Sequence, residues 1–355
     1  MSKNTTFFHK KLISWYLENK RDLPWRGTSN PYFIWLSEIM LQQTRVVQGL
    51  PYYLKFVNTF PTVFDLADAS EEKVLKLWQG LGYYSRARNL HLTARHIAYD
   101  LKGVFPESFE KLLKLKGVGD YTASAIASIC YNQPTAVVDG NVYRVLSRVF
   151  GSETPINSSK GVKEFKILAQ ELIDAKQPGI YNQAIMEFGA RFCVPQNPEC
   201  GTCIFNTKCE ALKNKKVSQL PVKIKTLKIK KRYFNYLVVL SNNNETIVNQ
   251  RVEKGIWQKL YEFPLIETSK EANSNDIKNH KIFENFKKET PVNSLVLYNE
   301  EAVVHKLSHQ HLYTRFWIAE VSKIKESGTP ISMIDTFPVP VLLENFISEF
   351  FQSKN

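Results

Sequence analysis

Four cysteines crowded into seventeen residues constrain this chain more than any other feature. Cys193, Cys200, Cys203 and Cys209 stand in a C-x6-C-x2-C-x5-C spacing. Thiolates hold soft metals, and such crowding reads as metal binding in a reducing compartment. Structural zinc usually sits between two well-separated C-x2-C knuckles. One knuckle flanked by gaps of six and five suits a compact cuboidal cluster better, with zinc as the alternative. The fifth cysteine, Cys130, lies in an apolar helical stretch and reads as a core residue.

At 355 residues two domains are expected, and 43% hydrophobic with 12% aromatic residues suffices to fill their cores. After a polar tail over residues 1–6, apolar residues recur at helical spacing as far as residue 212. Phe8, Leu12 and Tyr16 mark a first helix over 7–19. Asn30 caps and Pro31 starts a second, running to about Thr44. Further helices are expected at about 46–57, 71–79, 84–101, 159–175 and 181–192, with Pro178-Gly179 as a break. Residues 213–232 hold eight Lys, one Arg and no acid, nine of the net charge of +13. They read as a basic linker, with 223–230 alternating in an extended form. From Tyr233 the pattern changes to period two with β-branched residues, which marks a second domain over 233–355. It is expected to hold a hairpin around Asn242-Asn243-Asn244, strands near 293–305 and 311–320, and a helix at 339–351. No apolar run approaches the ~18 residues of a membrane span. No secretion signal opens the chain, and no repeat of fixed period runs through it. The charge suits a polyanion such as DNA, but its concentration in the linker leaves that partner to be argued from motifs.

Three stretches carry candidate chemistry. From Phe33 to Leu41 (FIWLSEIML) only Ser37 and Glu38 are polar. A helix apolar nearly all round is buried, so desolvation should raise the pKa of Glu38 and make it a candidate acid or base. Leu115 to Asn141 reads LKGVGDYTASAIASICYNQPTAVVDGN. A helix opened by Pro106-Glu107 ends near Leu115, and Gly117-Val118-Gly119 makes a turn. A helix follows from about Asp120 to Cys130, and Asp139-Gly140-Asn141 opens another that runs to Phe150. The glycines permit positive φ and leave N–H groups uncovered at a helix start, an anion site suited to DNA phosphate. Asp139 also fits the simpler role of N-cap. The third stretch, Gly80 to Arg88 (GLGYYSRAR), mixes flexible backbone, aromatic side chains and two arginines, which suits a wedge into stacked bases.

Four motifs occur in one order: SEIMLQQT, the Gly-Val-Gly hairpin with Asp139 some twenty residues on, the cysteine loop, and GIWQKLYEFP from Gly255 to Pro264. Together they resemble the MutY-type adenine DNA glycosylases of the endonuclease III superfamily, over nearly the whole chain. The resemblance implies an α+β multidomain protein. An all-α helix-hairpin-helix glycosylase domain would span 1–212, with the hairpin at about 107–130 and a [4Fe–4S] loop at 193–209. An α/β Nudix-like lesion-recognition domain would span 233–355, since GIWQKLYEFP is similar to the GxWxxLxEFP segment of such domains. The Glu-rich REUXEEXGU helix of Nudix hydrolases is missing from the sequence, so this domain reads as recognition rather than pyrophosphatase.

By the same resemblance, Glu38 is the acid that protonates adenine at N7. Asp139 steadies or captures the sugar cation, with Tyr121 and Asn141 in support. Tyr121 stands where bifunctional members carry a Schiff-base lysine. A phenol forms no imine, so the expected enzyme is a monofunctional hydrolase that leaves an abasic site. Gly117, Val118 and Gly119 would grip phosphate, and Trp25 and Arg26 would line the adenine pocket. Gln43, Thr44, Leu81, Tyr83 and Arg86 would surround the lesion pair. In the family a Phe-Ser-His loop inspects the oxidised guanine; here Leu307, Ser308 and His309 stand there, with Leu307 in place of the aromatic residue. The implied partner is double-stranded DNA with adenine opposite 8-oxoguanine or guanine, bound by a monomer in the cytoplasm, at the nucleoid. The rival readings are an endonuclease III-type lyase for oxidised pyrimidines and a non-enzymatic Fe–S DNA-binding protein.

Overall fold

Capping residues fix where most helices begin. In the computed structural model, which describes residues 3–224, 229–325 and 328–352, the Asn30 side chain accepts the Tyr32 N–H at 2.9 Å. Pro31 then opens the helix Pro31–Met40. Ser70, Ser108 and Ser158 cap the helices Glu71–Trp78, Phe109–Leu112 and Ser159–Leu172 in the same way. Left-handed residues end two others: Asn132 stops Asp120–Tyr131, and Gly151 stops Gly140–Phe150.

Packing groups the chain into two units, Met1–Asp68 with Asn89–Lys225, and Ala69–Arg88 with Thr226–Asn355. Among its described residues the first unit holds only helices and turns. Helices Lys3–Asn19, Gly140–Phe150, Ser159–Leu172 and Pro178–Arg191 enclose its core. Phe8, Leu12 and Tyr16, spaced for one helix face, are all buried there, and the Phe8 ring stacks on Phe205 at 4.8 Å. Of the basic stretch 213–232, residues 213–224 pack on this unit, while Lys230, Lys231 and Arg232 begin the first strand of the second unit. Leu220 is buried, and Ile156 N–H donates to Val222 O at 3.0 Å. The alternating run expected over 223–230 falls in part on residues 225–228, outside the described residues.

The second unit is built on a mixed sheet. Strand Lys230–Ser241 pairs in parallel with Gln310–Val321 along its whole length, Lys230 facing Gln310 and Ser241 facing Val321. Leu265–Thr268 flanks it on one side; Val292–Leu297 and Val303–Lys306 pair antiparallel with the far strand. Leu237, Ile266, Ile277, Phe283 and Trp317 form a core on one face, where Trp317 Nε1 donates to Asn235 Oδ1 at 3.1 Å. The fold is thus α+β, a helical unit and a sheet-bearing one.

Several boundaries differ from the sequence reading, each for a local reason. The first helix starts at Lys3, inside the expected tail. The second stops at Met40 rather than Thr44, because the chain turns there and Gln43 adopts φ +56°. Pro178-Gly179 begins the last helix instead of breaking the chain, since proline is at home in a first turn. The helix before the Gly-Val-Gly turn shrinks to Phe109–Leu112, and the one expected over 84–101 becomes Ser85–Arg95 with a wider π turn after it. Ser241–Asn244 does turn, but the following Glu245–Thr246 pairs with Thr329–Pro330 rather than with the strand before it. The single strand expected over 293–305 is two, and the short helices Val63–Asp68, Ser274–Lys278 and Lys281–Glu289 were not foreseen. The C-terminal helix is Val341–Ile347 with a π turn after it. No described helix is long and apolar enough to cross a membrane.

Candidate active site

Four helices of the first unit open onto one cavity. Helix Pro31–Met40 brings Glu38, and the first turn of Asp120–Tyr131 brings Tyr121. The start of Gly140–Phe150 brings Asp139 and Asn141, and Pro178–Arg191 brings Gln183, Met186 and Glu187. Arg21, Trp25, Arg26 and Thr44 complete the polar and aromatic rim. The residues singled out for chemistry, Glu38, Tyr121, Asp139 and Asn141, therefore share one cavity with Trp25, Arg26 and Thr44. Gln43 is exposed, at the left-handed turn beside it.

Glu38 is 9% exposed, and burial pushes its pKa up to about 7. A hydrogen bond from Tyr121 and the charge of Arg26 oppose the rise, while Asp139 adds to it. The Tyr121 hydroxyl also lies 3.1 Å from Met186 Sδ, a weak acceptor, so its one proton is available to a Glu38 carboxylate. Burial raises the phenol far above its ordinary value, so it stays a donor.

Asp139 caps the helix that follows it. One carboxylate oxygen accepts the N–H of Asn141 at 2.9 Å and of Val142 at 2.8 Å, and the other accepts Asn141 Nδ2 at 2.8 Å. Burial raises its pKa, and these three donors together with Arg144 pull the other way. Capping and cavity lining are thus properties of the same carboxylate. Arg144 extends the set, donating to Asn141 Oδ1 at 2.9 Å and to Cys193 O at 2.7 Å.

The same cavity holds a group that the sequence reading missed. Glu187 is 1% exposed and accepts from Arg21 Nη2 at 2.6 Å and Arg26 Nη2 at 2.5 Å. Burial works against its charge, but the two guanidiniums hold its pKa down at about 2. Arg26 also sits over the Tyr16 ring, whose hydroxyl donates to Gln183 Oε1 at 2.5 Å. The signal that found Glu38, an acid in apolar helical company, stands again in AIMEFGARF.

Beyond the cavity, Gly117 adopts φ +78°, and a Cβ there would lie 2.7 Å from Asn89 Cβ. Glycine is required on both counts. Gly119 is extended and no side chain caps the helix it precedes, so the first N–H groups of Asp120–Tyr131 have no capping oxygen; Val118 is buried beneath the turn.

A separate groove lies in the second unit. Leu81, Gly82, Tyr83 and Arg88 form one wall; Gly255, Ile256 and Trp257 another; Lys306, Leu307, Ser308 and His309 the third. Two stretches singled out separately in the sequence thus meet. Tyr83 is 49% exposed with φ +48°, whereas Leu81 is buried. Arg86 donates to Leu81 O and Gly82 O and lies 5.2 Å from the Trp78 ring, fixing the loop's shape. Ser308 Oγ and His309 Nδ1 are 3.3 Å apart and exposed.

The four clustered cysteines line a third cavity with Arg148, Phe188 and Phe192. Among the described residues no three ligating side chains converge on a single-ion site. Four cysteines lining one cavity match the ligand number of an iron–sulfur group. Burial pushes Cys203 up to about 11 and raises Cys200 and Cys209, and neighbouring thiols add to each rise. Such a set favours a bound cationic metal core over free thiolates.

Comparison with known proteins gives the family of both parts of the chain. The family model "HhH-GPD superfamily base excision DNA repair protein" matches residues 36–172, and the model "NUDIX domain" matches 235–349. An adenine DNA glycosylase of Buchnera aphidicola subsp. Baizongia pistaciae is 34% identical over 316 residues, 88% of this chain and 86% of that protein. One of Rattus norvegicus is 46% identical over 217 residues, 59% of this chain and 42% of the rat protein. Among solved structures, a thermostable thymine-DNA glycosylase matches with a TM-score of 0.55 and 29% identity, over 60% of this chain and 98% of that one. A non-covalent endonuclease III–DNA complex matches in fold, with a TM-score of 0.52 and 21% identity.

Proposed function

This chain belongs to the adenine DNA glycosylases of base excision repair, and we propose that it removes adenine opposite 8-oxoguanine or guanine by hydrolysis alone, leaving an abasic site. The observation that supports this reading most is the pair of acids in one cavity: Glu38, pushed up to about 7, and Asp139, held by three donors. Breaking a purine–deoxyribose bond needs a better leaving group and relief for the sugar's developing charge.

The steps follow from that pair. The flipped adenine enters between Trp25 and the Glu187–Arg26 wall, at a cost of a few kcal/mol for unstacking. Neutral Glu38 gives its proton to adenine N7, and the C1′–N9 bond breaks with both electrons going to the base. Asp139 faces the oxocarbenium ion, steadying or briefly capturing it. The Glu38 carboxylate then takes a proton from the water that adds to C1′, with Tyr121 holding that carboxylate in place. Among the described residues no lysine lines the cavity, which supports hydrolysis over imine chemistry.

The remaining residues hold the duplex. The uncapped N–H groups after Gly119 suit a phosphate. Tyr83 and Ser308–His309 offer an aromatic face and hydrogen-bonding groups to the base opposite adenine, and Thr44 lines the cavity with exposed Gln43 next to it in the chain. Cys193, Cys200, Cys203 and Cys209 would hold a [4Fe–4S] cluster that cross-links the loop. Excision needs no electron transfer and draws no step from it. The enzyme acts as a monomer on chromosomal DNA in the cytoplasm.

Duplexes with a central adenine opposite 8-oxoguanine, guanine or thymine test the reading, each reaction run with and without alkali. Strand breaks that need alkali, and arise only opposite 8-oxoguanine or guanine, are expected. Breaks without alkali, trapped by borohydride, would mean a lyase. Their absence from a protein that binds the duplex would mean a non-enzymatic binder.

A further inference from the structure

The loop Gly80–Arg88 sits in the middle of the helical half of the sequence, yet it packs with the sheet-bearing unit. Its flanks are tied there by specific bonds. Val339 N–H donates to Gln79 Oε1 at 3.0 Å, and Lys76 Nζ donates to Phe337 O at 3.0 Å. At the loop's other end Arg88 Nη1 donates to Gln258 O at 2.8 Å.

That last bond lands on an unusual backbone. Gln258 lies between Trp257 at φ +60° and Lys259 at φ +70°, two non-glycine residues in the left-handed region. Such residues persist only where their surroundings hold them. Leu260 N–H to Trp257 O at 3.0 Å and Lys259 N–H to Arg251 O at 2.7 Å fix the turn from one side; Arg88 fixes it from the other. Trp257 is thereby held as a wall of the groove, 5.7 Å from the His305 ring.

We propose that Arg88 is a specificity-determining positioning residue for the base opposite adenine. Acting through the Gln258 carbonyl, it sets the distance between the Tyr83 wall and the Trp257 wall, so that Tyr83 and Ser308–His309 meet the same base. This rests on the reading that the groove takes 8-oxoguanine. Its guanidinium would otherwise be read as a phosphate contact, and the two roles differ in what they change. A phosphate contact lowers binding to every duplex alike and makes its salt dependence shallower. A positioning residue changes the ratio between substrates.

Full-length protein with Arg88→Ala or Arg88→Lys tests this by single-turnover excision on 8-oxoguanine:A and G:A duplexes, binding at several salt concentrations, and hydrogen exchange of the free protein. The preference for 8-oxoguanine over guanine should fall about tenfold in both variants, as expected for losing one charge-assisted hydrogen bond. The salt slope should hold, and amides of residues 252–262 should exchange faster. Equal losses on both duplexes, a shallower salt slope and rescue by lysine would overturn the proposal in favour of a phosphate contact. A wild type without preference for 8-oxoguanine would overturn the substrate reading instead. In that event unchanged exchange over 252–262 would overturn the role of Arg88, and faster exchange would sustain its hold on the groove wall.

Discussion

Two glutamates line one cavity, and their charges are set in opposite directions. Glu38 and Glu187 are both buried, and burial raises the pKa of both. Glu38 meets a phenol and the field of another carboxylate, and ends at about 7. Glu187 meets two guanidiniums at hydrogen-bond distance, and ends at about 2. One of them can release a proton near neutrality and the other cannot. Burial alone makes no acid catalyst; the partners decide.

The largest effect should come from Glu38→Gln, which keeps the shape and removes the proton. Excision should fall about a thousandfold in single-turnover assays while the Kd for the mispaired duplex holds. Retained excision would sink its assignment as the acid. Asp139→Asn should cost about a hundredfold. Asparagine still caps a helix, so the melting temperature should change little, and that split separates cation stabilisation from capping. Because Asp139 helps to raise Glu38, the same variant should also move the pH dependence. In the wild type, excision should decline as pH rises through about 7, where Glu38 loses its proton. In Asp139→Asn that limb should lie at lower pH, and an unmoved limb would show that the two acids do not feel each other.

Glu187→Gln should weaken excision only several-fold at pH 7.5, again by lowering the limb. Arg21 and Arg26, left without their counter-charge, favour the Glu38 carboxylate. The last effect is on stability and has the opposite sign from the loss of activity. The folded pKa of Glu38 lies above its ordinary 4.5, so the wild type loses stability as pH rises from there through about 7. Glu38→Gln lacks that loss. At pH 8 it should be more stable by about 3 kcal/mol, and at pH 4 nearly equal to the wild type. Thermal melts at both pH values would check it; equal melting differences would mean that Glu38 is not desolvated.

Much of this was legible in the chain because the signals are local. The apolar run around Glu38 announces a buried acid, and Asn30-Pro31 announces where its helix begins. The spacing of the four cysteines places them on one short loop, where they do line one cavity. Glu187 was equally legible and was passed over, for its sequence context repeats that of Glu38. Its partners were not legible: Arg21 and Arg26 lie 166 and 161 positions away, and no periodicity links them.

The same divide runs through the second unit. Period-two patterning announced strands, but the parallel pairing of Lys230–Ser241 with Gln310–Val321 joins segments eighty residues apart. The expected hairpin lost to that long-range ladder. Tyr83 and Ser308–His309 were each visible as candidates, and only packing places them in one groove. The sequence by itself determined the helices, their caps, the buried Glu38 and the cysteine loop, because propensity, capping and periodicity act over a few residues. Only the tertiary structure decided which acid keeps its proton and which loop faces which, because desolvation and ion pairing depend on neighbours that the chain brings from far along its length.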